Sequence, residues 1–260
     1  MSTGDHVAVD THDHVAVVTL DRPETLNAIS GAVATSLGEA FSSVAGDEDV
    51  WVAVLRASGT RAFCVGADLK ERAGFSLDDY RANRKLVAGM FEALRAMPQP
   101  TIAAVFGFAL GGGFELALSC DLVVAAEGTE LGLPEATVGL LAAGGGTQLL
   151  ARSIGETRAK ELIFTGRRLD AAEAKDLGLV TEVVERAELD ATATRLAARL
   201  CESSPVALRS AKAAIGAALG PLEAGIRRED EEWAKVIASA DRREGIEAFN
   251  DKRPPRWSNR

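Results

Sequence analysis

The chain has 260 residues, 47% apolar and 26% charged, the balance of a soluble globular protein with one sizeable core, alone or with a small appendage. No apolar run reaches the roughly 18 residues needed to cross a membrane, and the first 14 residues lack both a secretory pattern and an Arg-rich transit pattern, so a cytoplasmic protein is expected. The formal charge of −9 (29 Lys and Arg against 38 Asp and Glu) opposes nucleic-acid binding but leaves room for a small anion on a local basic patch.

In chain order, the string DHVAV occurs at 5–9 and again at 13–17. Each copy alternates polar and apolar residues, which predicts two strands joined by a short turn with solvated histidines near it. The second strand continues through 15–20 and stops at Asp21-Arg22-Pro23. Residues 30–45 have helical periodicity behind Ser30, a good N-cap. A buried-type strand at 50–56 and a turn at Ser58-Gly59 lead into a short strand and loop at 62–69. One long helix is expected over 76–96, opened by Ser76 and closed before Met97-Pro98. A strand at 101–107, a glycine run, an apolar helix and a strand at 121–126 follow.

Strands alternate with helices to about residue 185, which predicts an α/β architecture. Residues 188–219 and 221–248 are Ala-rich and helical in period, punctuated by Pro205 and Pro221. The expected division is a mixed core over 1–195 and a helical C-terminal region over 196–260, with no linker between them.

Two residue types exclude whole classes of chemistry. The histidines are His6, His12 and His14, with none in the following 246 residues. A nucleophile–histidine site would have to borrow one from the N-terminus, and a multi-histidine metal site in the body of the chain is ruled out. Cys64, Cys120 and Cys201 have no metal-type spacing and no disulfide framework, and read as inert buried thiols.

Three segments can carry chemistry. In the first, Gly111-Gly112-Gly113 separates a strand from a helix. Glycines there permit close approach of a ligand, and a helix start offers free N–H groups to an anion. The run can equally serve dense packing alone. Glu115 follows, with Phe114, Leu116, Ala117 and Leu118 around it. An acidic residue in a first helical turn is a common stabilising surface feature, but these neighbours argue for burial, which costs a carboxylate several kcal/mol.

The second segment holds Pro134-Glu135, another helix-start pattern, and then Gly144-Gly145-Gly146 with Thr147 as a candidate cap. Neither glycine run has the spacing of a P-loop or a dinucleotide fingerprint. The third is RAFCVGADLKERA at 61–73. Paired carboxylates with different protonation states are a standard acid/base device near neutral pH, but the residues alone do not identify a substrate.

At these positions the sequence resembles the enoyl-CoA hydratase/isomerase (crotonase) superfamily. The likeness runs through DRPETLNAIS (21–30), AFCVGADLKERA (62–73), PTIAAVFGFALGGGFELALSCDL (100–122), GLPEATVGLLAAGGGTQLLARSIG (132–155), KELIFTGRRLDAAEAKDLGLV (160–180) and DRREGIEAFNDKRPPRW (241–257). GADLKERA and the KRPPR tail look most like the methylglutaconyl-CoA hydratase branch. The resemblance implies a spiral of ββα units with a helical C-terminal trimerisation region, a homotrimer or dimer of trimers, and hydration of the 2,3-double bond of an acyl-CoA thioester. Coenzyme A is then part of the substrate, and no metal or separate cofactor is expected.

By the same resemblance, the N–H groups of Ala67 and Gly112 form an oxyanion hole, with Glu115 as base and Glu135 as acid. Residues Ala67, Asp68, Leu69 and Lys70 lie along coenzyme A, and Lys252 reaches its phosphates from a neighbouring subunit. Two departures stand out. The family's Pro-Gly after the second glutamate is Ala142-Ala143 here, which alters the room for water or the acyl chain. The helix at 30–46, matching a lysine-rich RNA-binding helix in one branch, has no lysine or arginine, so nucleic-acid binding is not carried over. The competing reading is a Δ3-Δ2-enoyl-CoA isomerase, which needs only the carboxylate at 135.

Overall fold

The computed structural model describes residues 6–260; residues 1–5, including Asp5 of the first DHVAV and the first part of the 14-residue segment that lacks a leader pattern, lie outside the described residues. Strands β1 (Val7–His12) and β2 (Val15–Leu20) form the expected hairpin. Asp13 (φ 47°) and His14 (φ 66°) both sit in the left-handed region, the two-residue turn that matches the twist of the paired strands. His14 is not simply solvated: its ring stacks on Trp51 at 3.7 Å, and Nδ1 lies 2.8 Å from the Asp49 carbonyl. Helix α1 (Gly31–Ala45) starts where Ser30 Oγ accepts the Val33 N–H.

Next come β3 (Val52–Ala57), β4 (Ala62–Cys64), a single turn α2 (Leu69–Arg72) and the long helix α3 (Leu77–Ala96). Ser76 and Asp79 close a capping box at the start of α3, each side chain bonding the other's backbone N–H. The expected strand at 101–107 is β5 (Thr101–Val105), and a further strand that was not expected, β6 (Phe108–Leu110), follows it, with the chain turning at Gly107 into another sheet. The continuous apolar run hid this break, because both strands are buried on both faces. Helix α4 (Gly112–Ser119), β7 (Leu122–Ala126) and β8 (Glu130–Gly132) complete the same pattern a second time.

Helices α5 (Gly146–Ile154) and α6 (Glu156–Thr165), strand β9 (Leu169–Asp170), α7 (Ala171–Asp176) and β10 (Glu182–Val184) follow. Thr147 is inside α5 and does not cap it; the N-cap is Gly145. Four helices end the chain: α8 (Leu189–Cys201), α9 (Pro205–Gly216), α10 (Leu222–Ala238) and α11 (Ala240–Asp251).

The strands form two mixed sheets, ordered β1-β2-β3-β5-β7-β10 and β4-β6-β8-β9. Pairs β2–β3, β3–β5, β5–β7 and β7–β10 are parallel in the first sheet, as are β4–β6 and β6–β8 in the second. Successive strand pairs thus place one strand in each sheet and return through a helix, so the chain winds as a spiral. The core between sheets and helices includes Phe41, Phe63, Phe91, Phe106 and Phe114. Helix α8 belongs to this core, burying Ala193 and Ala197 against β3, β5 and β7; position 195/196 falls inside it. Among the described residues no helix is long and apolar enough to cross a membrane.

Candidate active site

The site lies where the second sheet ends. Strand β6 runs into Gly111, whose φ of 52° only glycine adopts without strain and whose N–H bonds the Gly132 carbonyl of β8 at 2.8 Å. Helix α4 therefore starts beside β8, and close against β4: an atom at a Cβ position on Gly113 would sit 2.0 Å from the Cys64 carbonyl oxygen. Gly66, directly before Ala67, is pressed against the same turn, with its Cβ position 2.9 Å from the Gly112 nitrogen. Ala67 is held by a parallel bridge to Ile29, through Ile29 N–H to Gly66 O (2.7 Å) and Asp68 N–H to Ile29 O (3.0 Å). The N–H groups of Ala67 and Gly112 have no acceptor among the described residues.

One turn into α4, Glu115 is 3% exposed. Its Oε1 accepts the N–H groups of Gly144 (2.7 Å) and Gly146 (2.8 Å). Burial pushes its carboxyl above the usual carboxylate range, while the Gly146 and Gly144 N–H groups and the charge of Arg84 pull the other way. Glu135 sits on a 3-10 turn, Pro134–Val138, that follows β8. Its Oε2 is buried with no hydrogen-bond partner among the described residues. Burial above all, opposed by its own backbone N–H and reinforced by the negative charge of Glu115, pushes its carboxyl up to about 7.

Both carboxyls face one cavity of about 360 Å³. The structure brings Ala67, Leu69, Gly112, Glu115 and Glu135 to its wall, five of the residues singled out in the sequence. It places others elsewhere. Asp68 turns inward, caps α2 through the Lys70 and Glu71 N–H groups, and pairs with Arg22 at 2.7 Å. Although burial works against it, the Arg22 guanidinium and those N–H groups hold its carboxyl below the usual range. Lys70 is exposed outside the cavity lining, and Lys252 is exposed at the end of α11. Ala142 is buried in the core, whereas Ala143 lines the cavity beside Gly144.

The cavity also exposes residues that sequence reasoning missed. Arg72 enters from α2, and Tyr80, Asn83, Arg84, Val87 and Phe91 from α3. A signal was present: Asn83 falls in register with the buried Met90, Phe91 and Leu94 of α3, a polar residue on an inward face. Cys64, Cys120 and Cys201 are free as expected, but only Cys64 is buried while Cys120 and Cys201 are half-buried; burial pushes the Cys64 and Cys120 thiols up to about 12.

A profile described as enoyl-CoA hydratase/isomerase matches residues 10–260. The chain belongs to the enoyl-CoA hydratase/isomerase family. Its relatives include the human enoyl-CoA hydratase domain-containing protein 2, mitochondrial, 42% identical over 92% of this chain and 84% of that protein. Human methylglutaconyl-CoA hydratase, mitochondrial, is 40% identical over 92% of this chain and 72% of that protein. The crystal structure of enoyl-CoA hydratase from Bacillus anthracis superposes with a TM-score of 0.96 at 40% identity, covering 98% of this chain and 100% of that one. The architecture is the crotonase fold of this family, and the two glycine runs that frame Glu115 lie within the matched region.

Proposed function

We propose that the protein hydrates 2-enoyl-CoA thioesters. The observation that carries this reading is the unequal pair: Glu115 receives two backbone N–H groups, while Glu135 receives none on its buried Oε2. Donors to a carboxylate favour its charged form, and their absence favours the acid. Glu115 is then the base. It takes a proton from water as the water oxygen bonds to carbon 3 of the acyl group. The double-bond electrons pass to the thioester, whose oxygen gains enolate charge between the N–H groups of Ala67 and Gly112. Glu135 delivers its proton to carbon 2, and exchange with solvent resets both carboxyls. Preorganised donors of this kind are worth about 3–4 kcal/mol each at the transition state.

Ala67, Leu69 and Lys70 are proposed to lie along coenzyme A, with Lys252 reaching its phosphates from a neighbouring subunit, while Asp68 holds the loop through Arg22. A trimer, or a pair of trimers, is proposed on the same reading. It is supported by Ile215, Leu219, Ile226, Trp233 and Phe249, large apolar side chains that α9–α11 and the adjoining turn leave exposed.

Crotonyl-CoA should lose its conjugated-enoyl absorbance on addition of the protein, and Glu115→Gln should lower the rate by about 10²–10⁴-fold with coenzyme A binding retained. Full activity in that variant would remove Glu115 from the mechanism. A second reading has one specific observation behind it. The two N–H bonds to Glu115 also suit a purely structural role, pinning the 144–146 loop, with Glu135 alone shuttling a proton between carbons 4 and 2. Under that isomerase reading, 3-enoyl-CoA gains the conjugated band and crotonyl-CoA is left unchanged.

A further inference from the structure

The glycines that lead into α5 are held from both sides. On one side, the N–H groups of Gly144 and Gly146 bond Glu115 Oε1 at 2.7 and 2.8 Å, and the Gly145 N–H acts on the same carboxylate more weakly. A trans peptide points its C=O and N–H in opposite directions, so with the Gly145 N–H turned to Glu115 the Gly144 carbonyl faces away. There it meets Arg95, in the last turn of α3, whose Nη1 donates to it at 2.7 Å. Arg95 is exposed, lies outside the cavity lining and makes no ion pair among the described residues. No side chain flanks the Gly144–Gly145 peptide to stop it turning over. Neither residue tolerates one: a Cβ on Gly144 would run into Phe91 and Glu115, and Gly145 has φ 128°, which favours glycine alone. Turned over, the peptide would present the Gly144 carbonyl to Glu115. A carboxylate facing that carbonyl pairs two acceptors, whereas the protonated acid can donate to it. The two orientations therefore favour opposite charge states of Glu115, and Arg95 bonds the carbonyl in the one observed.

We propose that Arg95 is a positioning residue for the base: it holds the Gly144 carbonyl outward, and so keeps the Gly145 N–H and its two neighbours turned to Glu115. Arg95 touches no reacting atom and acts through the peptide. The inference rests on Glu115 being the base of the hydration proposed above, and names the group outside the cavity that keeps that base ready to accept a proton. The ionisable groups that act on Glu115 from the elements around it are Arg84 of α3 and Glu135 of the 134–138 turn. Substituting Arg95 leaves both in place. Without the guanidinium the carbonyl has only water as an outward partner, so the observed orientation loses its advantage over the turned one.

Two measurements on the full-length protein test it with Arg95→Met and Arg95→Lys. The first is the pH profile of kcat/KM for crotonyl-CoA, whose acid limb reports protonation of the base. In Arg95→Met the limb should move to higher pH, so that kcat/KM at its foot falls about 3–10-fold, the range for one intramolecular hydrogen bond, while the plateau changes less. Arg95→Lys, which can still donate to the carbonyl, should restore part of the loss. The second needs no substrate: pH-difference infrared spectra, with Glu115→Gln as the blank, follow the Glu115 carboxyl itself. Its carboxylate band should appear at higher pH in Arg95→Met than in the wild type, and this difference should persist in high salt, which screens a charge acting at a distance. An unchanged infrared midpoint in Arg95→Met would overturn the inference, as would a difference that high salt removes. A lower melting temperature with both pH dependences unmoved would also overturn it, since Arg95 would then only tie α5 to α3. If the infrared midpoint moves but the wild type hydrates no crotonyl-CoA, the role of Arg95 stands and the hydratase reading fails.

Discussion

The Oε2 atom of Glu135 has no partner among the described residues, and its carboxyl is pushed up to about 7. Its folded value lies above its usual range, so the fold favours the neutral acid. The stability this contributes is complete below the usual carboxylate range and is lost as pH rises through about 7. Glu135→Gln cannot ionise, so its melting temperature should gain on the wild type between pH 5 and pH 8, read by calorimetry across that range; a constant difference would contradict the assignment. If Glu135 is the proton donor, kcat/KM of the wild type should also decline above about pH 7 as the acid is spent. The two glutamates were legible in the sequence because carboxylates stood in apolar surroundings. What distinguishes them was not, since the donors to Glu115 come from 29 and 31 residues away. Asp68 shows the reverse: a residue read along the ligand loop turns inward to Arg22 because it caps α2.

Two glycines on neighbouring helices separate geometric need from habit. Gly113 in α4 touches the β4 backbone with no room for a methyl group, so Gly113→Ala should destabilise by about 3 kcal/mol or more, the upper range for overpacking. Gly89 in the middle of α3 has open space around its Cβ position, so Gly89→Ala should stabilise by about 0.5–1 kcal/mol through helix propensity. Denaturant unfolding of both variants checks the pair, and similar shifts in the two would contradict the packing described for α4. At this scale the sequence was readable where signals are long or local. The periodicity and Ser76 cap of α3 and the Ser30 cap of α1 lie where expected. Strands β6, β8 and β9, three residues or fewer, carry no period of their own and exist because partner strands supply their bonds. Of the face that α3 turns to the cavity only Asn83 left a signal, because the rest depends on where α1, α2 and α4 pack.

At the scale of the molecule, the alternation of strands and helices announced an α/β spiral, and the Ala-rich period announced the C-terminal helices; the sharing of strands between two sheets emerged only in three dimensions. Those last helices leave Trp233 (61% exposed) and Phe249 (83% exposed) facing outward, an arrangement suited to burial against another subunit. Light scattering on the purified protein should give the mass of three or six chains. Trp233→Glu should move the population toward single chains, because it places a charge where an apolar surface would close. A monomer in the wild type would leave this surface to another partner.

The double hydrogen bond from Gly144 and Gly146 to Glu115 makes the start of α5 a built-in reporter. Those two amide protons sense the electron density on Oε1, so their chemical shifts follow the charge of the carboxyl they touch. A nuclear magnetic resonance titration of backbone-labelled protein should show both signals moving together with a single midpoint, which would be that of Glu115. In Glu115→Gln the same two signals should stand still over that interval. Two helix-start amides would thereby act as a voltmeter wired to one carboxylate, read without substrate or turnover.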